Sequence, residues 1–125
     1  MAIAVLMAVP TVIFGQSERL PSAITVALEK GDAEQLSKFF NTTIDLTILE
    51  QNGVYSKQQG TTILANFFSE NPVKKFGVIH EGNKDTASFA IGNLTTSKQT
   101  FRVYLLINTI DKQPIIQQLR IETND

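Results

Sequence analysis

The sequence contains no cysteine, no tryptophan and a single histidine, His80. Without cysteine the chain cannot form a disulfide, supply a thiolate nucleophile or complete a zinc knuckle. The lone histidine and the scattered carboxylates show no metal-ligand spacing, and the glycine patterns of phosphate-binding and dinucleotide-binding loops are missing. We therefore expect neither a metal nor a cofactor.

The sequence also lacks an excess of charge of either sign. Its 11 lysines and arginines are matched by 12 aspartates and glutamates, and the formal net charge is −1. Nucleic acids and anionic membranes attract proteins through a basic face, and the scattered charges form none. With 42% hydrophobic and 18% charged residues, the 125 residues suit one globular domain with one core.

Residues 2–14 form an uncharged, mostly apolar run. The run is shorter than the ~20 residues that span a bilayer, but its length suits a signal peptide, and Gly15 is a small residue at the cleavage position. We predict a signal peptide over residues 1–15 and a mature domain over residues 16–125, exported to the periplasm or outside the cell, with no stable membrane span. The basic residues that open a signal peptide are missing. Either the true start of the chain lies upstream, or the run is a buried strand or helix.

Apolar residues at helical spacing predict three helices in the mature chain. The first ends at Gly31, and Asp32 then caps the start of the second. The third begins at Ser56, which has the capping-box spacing to Gln59, and it ends before Pro72.

Alternation of apolar and polar residues predicts five strands, at residues 43–50, 75–81, 86–96, 100–110 and 115–122. The dipeptide Asn52-Gly53 predicts a tight turn after the first of them. Connections between the last four are too short for anything except antiparallel neighbours. The fold class is therefore α+β, with helices packed on a curved antiparallel sheet.

This order of elements resembles the nuclear transport factor 2-like fold, also called the cystatin-like cone, in which helices fill the hollow of a bent sheet. The sequence is similar to a family of small secreted bacterial proteins of unknown function with that fold. The similarity extends from about Leu20 to Glu122. It is concentrated at residues 40–41, 44–47, 53–57, 67–68 and 71–72, at His80 and Gly82, and at residues 90–92, 101–104 and 117–120. The resemblance implies the fold and export, and it assigns no catalytic residue.

Two residues are candidates for acid–base chemistry. His80 is the one side chain that titrates near neutral pH, and alternation places it on the face of Phe76 and Val78. Its alternative role is that of a partly buried histidine with a backbone or carboxylate partner. Asp45 points away from its apolar neighbours, so it is either a surface carboxylate that stabilises a loop or, by analogy with isomerases and dehydratases of this superfold, a general base in the cone.

The last two strands suggest a binding surface. One face of this pair collects polar and aromatic side chains, namely Arg102, Tyr104, Leu106, Gln118, Arg120 and Glu122. If a tight turn pairs Ile110 with Pro114, Tyr104 lies opposite Arg120 and Arg102 lies opposite Glu122. This surface is either a platform for a ligand or a second subunit, or a solvated face with weak cross-strand ion pairs. Tyr55 is a further candidate binding residue.

Three functional hypotheses follow from these residues. The first is a non-catalytic exported domain that binds a small ligand or a partner protein, either at the open end of the cone or on the face of Arg102, Tyr104 and Arg120. The second is a cofactor-free isomerase, dehydratase or hydrolase that uses His80 or Asp45 in the cone cavity. The third is a structural role in which the sheet face forms a homodimer.

Overall fold

Three helices and six strands make up residues 20–124, the part of the chain that the computed structural model describes. The signal peptide predicted over residues 1–15 lies outside this part. None of the three helices is both long enough and apolar enough to cross a membrane. In chain order the elements are α1 Ser22–Lys30, α2 Ala33–Ser37, β1 Phe40–Ile48, β2 Gln51–Ser56, α3 Lys57–Glu70, β3 Val73–Lys84, β4 Ala87–Thr96, β5 Thr100–Ile110 and β6 Gln113–Thr123.

The six strands form one sheet in the order β2-β1-β6-β5-β4-β3. Strands β3 to β6 are the predicted antiparallel meander, and β1 joins them by pairing with β6 in parallel. Strand β2 adds an antiparallel edge that was not among the five predicted strands. The predicted α+β class, with helices packed on a curved sheet, is confirmed.

The sheet has an inner face that packs on the helices and an outer face turned away from them. The inner face presents the fully buried strand residues, which pair across the strands as Leu46 with Leu119 and Val103 with Ile121. The helices cover them with apolar side chains, namely Ile24, Ala27 and Leu28 of α1, Leu36 of α2, and Leu64, Phe67 and Phe68 of α3. Apolar side chains therefore fill the hollow of the sheet.

The helix ends follow the predicted capping. The carboxylate of Asp32 accepts a hydrogen bond from the backbone N–H of Gln35 at the start of α2. Ser56 and Gln59 form the capping box at the start of α3, where the Gln59 N–H donates to Ser56 Oγ at 3.2 Å. Asn71 is buried at the end of α3, and its side-chain amide donates to the Phe67 carbonyl at 3.0 Å. These bonds satisfy backbone groups that a helix end leaves without partners.

The prediction of a tight turn at Asn52-Gly53 is wrong, because the hairpin reverses at Leu49 and Glu50 instead. The pairing of β1 with β6 continues through the turn, where the Leu49 N–H donates to the Ile121 carbonyl at 2.8 Å. Leu49 has a φ of 57° at this turn. The long-range pairing thus overrides the local turn preference of an Asn-Gly dipeptide.

The turn between β5 and β6 lies one residue away from its predicted place. Ile110 pairs with Gln113 rather than Pro114, across the two-residue turn Asp111-Lys112, whose φ angles are 51° and 63°. A bulge at Gln117 then shifts the register by one residue. The shift restores the predicted partners of the tyrosine and the two arginines on this strand pair.

Candidate functional site

The outer face brings four of the predicted binding residues together. Tyr104 lies directly opposite Arg120, and Arg102 lies opposite Glu122, as the sequence predicted. Gln118 precedes Arg120 on the same face and pairs with Leu106. Strand alternation explains the grouping, since residues two apart on paired strands share a face.

Arg120 is the centre of this group. Its guanidinium lies 5.3 Å from the centroid of the Tyr104 ring, within the range of a cation–π interaction. The same guanidinium donates to Glu122 Oε1 at 2.5 Å, and this hydrogen bond raises the pKa of Arg120. The Arg120 side chain remains 42% exposed, so the ion pair itself contributes little to stability. The arrangement fixes the guanidinium against the ring while one side of it stays open to a partner.

Asp45 lies on the outer face beside this group, on β1. Gln118 Nε2 donates to Asp45 Oδ2 at 3.2 Å, and the two residues are register partners between β1 and β6. The carboxylate therefore has a neutral side-chain partner on the sheet surface. It does not face the interior of the cone, where the catalytic hypothesis placed it.

Arg102 is held by neutral partners. Its Nε donates to Asn93 Oδ1 at 3.1 Å, and one terminal nitrogen donates to Asn124 Oδ1 at 2.7 Å. Glu122, its cross-strand partner, is bonded to Arg120 instead. The positive charge of Arg102 consequently has no carboxylate partner within residues 20–124.

Exposed apolar side chains border the polar group on two sides. Leu106 and Phe89 are neighbours on β5 and β4, and each is 40% exposed. Val54 on β2 pairs with Asp45 and is 71% exposed. Alternation along the strands explains why these side chains point outward, but it does not distinguish an apolar residue that contacts water from one that binds a partner. The sequence pattern predicted Leu106 on this face but not Val54 or Phe89.

His80 lies on the opposite face from the one predicted. Strand β3 bulges at Ile79, and the extra residue turns His80 away from Phe76 and Val78 and toward the outer face. There His80 is exposed, and its ring centroid is 5.5 Å from that of Phe89. A bulge has no reliable sequence signature, which is why alternation alone gave the wrong face.

The two candidate acid–base residues do not converge. Asp45 is on β1 and His80 is on β3, four strand spacings apart in the sheet, or roughly 19 Å measured along it. Both lie outside the cone, whose hollow is filled by buried apolar side chains. A shared catalytic pocket would need these groups within hydrogen-bond reach of one substrate. The geometry gives the catalytic hypothesis no support.

Tyr55 lies apart from the other predicted binding residues. It pairs with Ile44, an inner-face residue of β1, and its ring covers Gly53, where an added Cβ would lie 2.9 Å from the ring. With residues of α3 it lines a separate depression of about 400 Å³. Tyr55 therefore belongs to the β2–α3 side of the domain and not to the outer face.

Depressions of about 380–570 Å³ occur at five places on the described surface. The one of about 570 Å³ is lined by Glu122, the partner of Arg120, with Leu49, Glu50 and Thr123, and none of the five is lined by Tyr104, Arg120, Asp45 or His80. Among residues 20–124 no three carboxylate or histidine side chains lie close enough to hold a metal ion.

The chain is similar to a family of known proteins over most of its length. The domain of unknown function DUF4783 matches residues 21–122. A DUF4783 protein from Bacteroides ovatus is 30% identical with a TM-score of 0.81, covering 86% of this chain and 98% of that one. Another from Bacteroides fragilis is 33% identical with a TM-score of 0.80, covering 85% and 100%. Among curated proteins, none matches the chain significantly.

More distant structures share the architecture alone. A putative dehydratase of the NTF2-like family from Streptomyces avermitilis has a TM-score of 0.61 at 10% identity, covering 82% of this chain and 88% of that one. At that identity the likeness establishes the fold and does not extend to activity. The chain has the nuclear transport factor 2-like fold and belongs to the DUF4783 family.

Proposed function

We propose that this domain is a non-catalytic binding module that takes a partner protein on the outer face of its sheet. The observation that supports the proposal is the pair formed by Tyr104 and Arg120, half-exposed at the centre of the face and bordered by exposed apolar side chains. Tyrosine and arginine are the residue types that most often dominate protein interfaces. Exposed apolar patches also mark such interfaces.

The shape of the surface favours a protein over a small molecule. Small ligands are bound in concave sites that bury most of their surface, whereas none of the five depressions is lined by Tyr104 or Arg120. The Arg120 guanidinium is already positioned by Tyr104 and Glu122, so little side-chain freedom is lost when a partner binds. A preorganised aromatic and basic centre with an apolar border matches the anatomy of a protein interface.

A second copy of the chain is a specific candidate for the partner. The group around Arg120 contains two acids, Asp45 and Glu122, and two bases, Arg102 and Arg120, so the formal charges within this group balance. A two-fold interface brings the same patch together with itself, and such a patch must be self-complementary. A balanced patch meets that condition without like-charge repulsion.

Photocrosslinking in the native cells tests the proposal. Benzoylphenylalanine in place of Leu106 is expected to form an adduct, and the same residue in place of exposed Ala65 on α3 is not. Tyr104→Ala together with Arg120→Ala should lower the adduct yield about tenfold, the effect of losing roughly 1.4 kcal/mol at an interface. An adduct of twice the chain mass identifies a second copy, and any other mass identifies a different protein. Equal yields at both positions, or no adduct at Leu106, would contradict the proposal.

We also propose that residues 1–15 are a signal peptide and that the domain acts in the periplasm or outside the cell. The support is the uncharged run of residues 2–14 with Gly15 at its end. Mass spectrometry of the protein from its native cells is expected to find an N terminus at Gln16. Recovery of the intact chain from the cytoplasm would contradict this.

A further inference from the structure

A depression of about 380 Å³ opens at the β3 edge of the outer face, away from the group around Arg120. Its lining includes Lys75, Gly77, Ile79, Asn93, Thr95 and Thr100. The floor is open because Gly77 has no side chain, and an added Cβ there would meet no atom within 4 Å. A volume of this size lies within the range of small-molecule sites.

Two irregularities of β3 bracket the depression. The register with β4 shifts between Val73 and Lys75 and again between Val78 and His80. Bulges bend a strand locally and redirect its side chains, and they are frequent beside binding sites. Here they separate a short regular stretch, centred on Gly77, from the rest of the edge strand. The depression is lined by residues of strands β3, β4 and β5, and no loop residue is among them.

The polar side chains that line the depression have hydrogens to donate. Arg102 donates to Asn93 Oδ1, which leaves the Asn93 amide N–H₂ available as the free end of that side chain. The hydroxyls of Thr95 and Thr100 are 3.4 Å apart, so one hydroxyl hydrogen is used between them and the other is free. Lys75 adds an ammonium group. Together these groups can donate hydrogen bonds to an acceptor in the depression.

The charge at this site is positive and uncompensated. Within residues 20–124 Lys75 forms no ion pair. Arg102, the cross-strand partner of Asn93 on β5, donates side-chain hydrogen bonds to the amide oxygens of Asn93 and Asn124. The nearest acid along this row of the sheet is Glu122, and its carboxylate is bonded to Arg120. An anion in the depression would therefore contact the Lys75 ammonium group, with the Arg102 guanidinium bonded to the far side of Asn93, and no carboxylate lines the depression.

We propose that this depression binds a small organic carboxylate. The carboxylate group accepts hydrogen bonds from Lys75, Asn93 and the threonine hydroxyls. A short apolar portion contacts Ile79, whose side chain is 51% exposed at the rim. The depression shares no lining residue with the group around Arg120, and the two are linked by the hydrogen bond from Arg102 to Asn93.

Titration of the ¹⁵N-labelled protein with isovalerate tests this site, with isovaleramide as the neutral analogue and phosphate as a second anion. Isovalerate is expected to shift the amide resonances of Gly77, Ile79, Asn93 and Thr95, and isovaleramide should not. Lys75→Met is expected to weaken binding at least about tenfold. Gly77→Val fills the depression at a position where the added Cβ meets nothing, so it should also weaken binding at least about tenfold while the fold is retained.

Lys74→Met is the matched control, since Lys74 is an exposed lysine next to Lys75 that does not line the depression. Its affinity for isovalerate should equal that of the unmodified protein. The proposal is overturned if isovaleramide shifts the same resonances, if phosphate alone binds, or if Gly77→Val leaves the affinity unchanged. Because the crosslinking experiment at Leu106 probes a different surface, either proposal can fail without the other.

Discussion

Phe101→Ala is expected to lower the free energy of unfolding by about 3–5 kcal/mol, the usual cost of truncating a fully buried aromatic side chain. Phe101 is 1% exposed on the inner face of β5, and its ring contacts that of Phe67 at 5.1 Å in an edge-to-face arrangement. The contact joins α3 to the centre of the sheet. Urea unfolding should show the loss, together with a fall of roughly 12–20 °C in Tm for a domain of this size.

Phe89→Ala is the matched control for Phe101→Ala. Phe89 belongs to the neighbouring strand β4 but lies on the outer face and is 40% exposed. Its truncation is expected to cost less than about 1.5 kcal/mol, because much of the ring already contacts water. If Phe101→Ala does not fold, Phe101→Leu should still unfold cooperatively with a smaller loss. Equal losses for Phe101→Ala and Phe89→Ala would show that the inner face is not the core.

The inner face could be predicted from sequence because its signal is repeated. Several strands alternate in phase, and three helices carry apolar stripes, so each element supports the assignment of its neighbours. The helix ends could also be predicted, because Asp32, Ser56 and Asn71 form hydrogen bonds to residues three or four positions away. Such short-range chemistry is contained in the local sequence.

Errors arose where a long-range contact decides the local geometry. The turn forms at Leu49 and Glu50 instead of Asn52-Gly53, because the Leu49 N–H is bonded to the carbonyl of Ile121 on β6. These two residues are 72 positions apart in the sequence. His80 changes face because β3 has one extra residue at Ile79. In each case the local pattern was correct for an isolated hairpin or a regular strand, and pairing with a distant strand overrode it.

The candidate site shows the same division. Arg102, Tyr104, Gln118 and Arg120 lie together as predicted, because strand alternation and one hairpin determine their positions. Asp45 lies beside them because β1 pairs in parallel with β6, and no short sequence motif predicts that pairing. The depression at Gly77 lies between two bulges, at a residue without a side chain. The sequence shows the glycine but does not show whether the space next to its Cα is open or occupied by neighbouring atoms.

The glycines of the two neighbouring strands make that distinction testable. Gly92→Ala is expected to lower the free energy of unfolding by about 2–3 kcal/mol or more, as overpacking of a core does. An added Cβ at Gly92 would lie 2.5 Å from the ring of Phe76 and 2.8 Å from the carbonyl oxygen of Gly77. Phe76 is buried and the carbonyl belongs to the paired backbone, so neither can move freely.

Gly77→Ala is the matched control for Gly92→Ala, on the adjacent strand of the same sheet. Its Cβ would meet no atom within 4 Å, so the change is expected to be neutral or to stabilise by up to about 1 kcal/mol through the unfolded chain. The cost of Gly92→Ala should also shrink when Phe76→Leu removes the ring, which a double-mutant cycle in urea measures. Additive effects of those two substitutions, or equal effects of the two glycine substitutions, would refute the packing of Phe76 over Gly92.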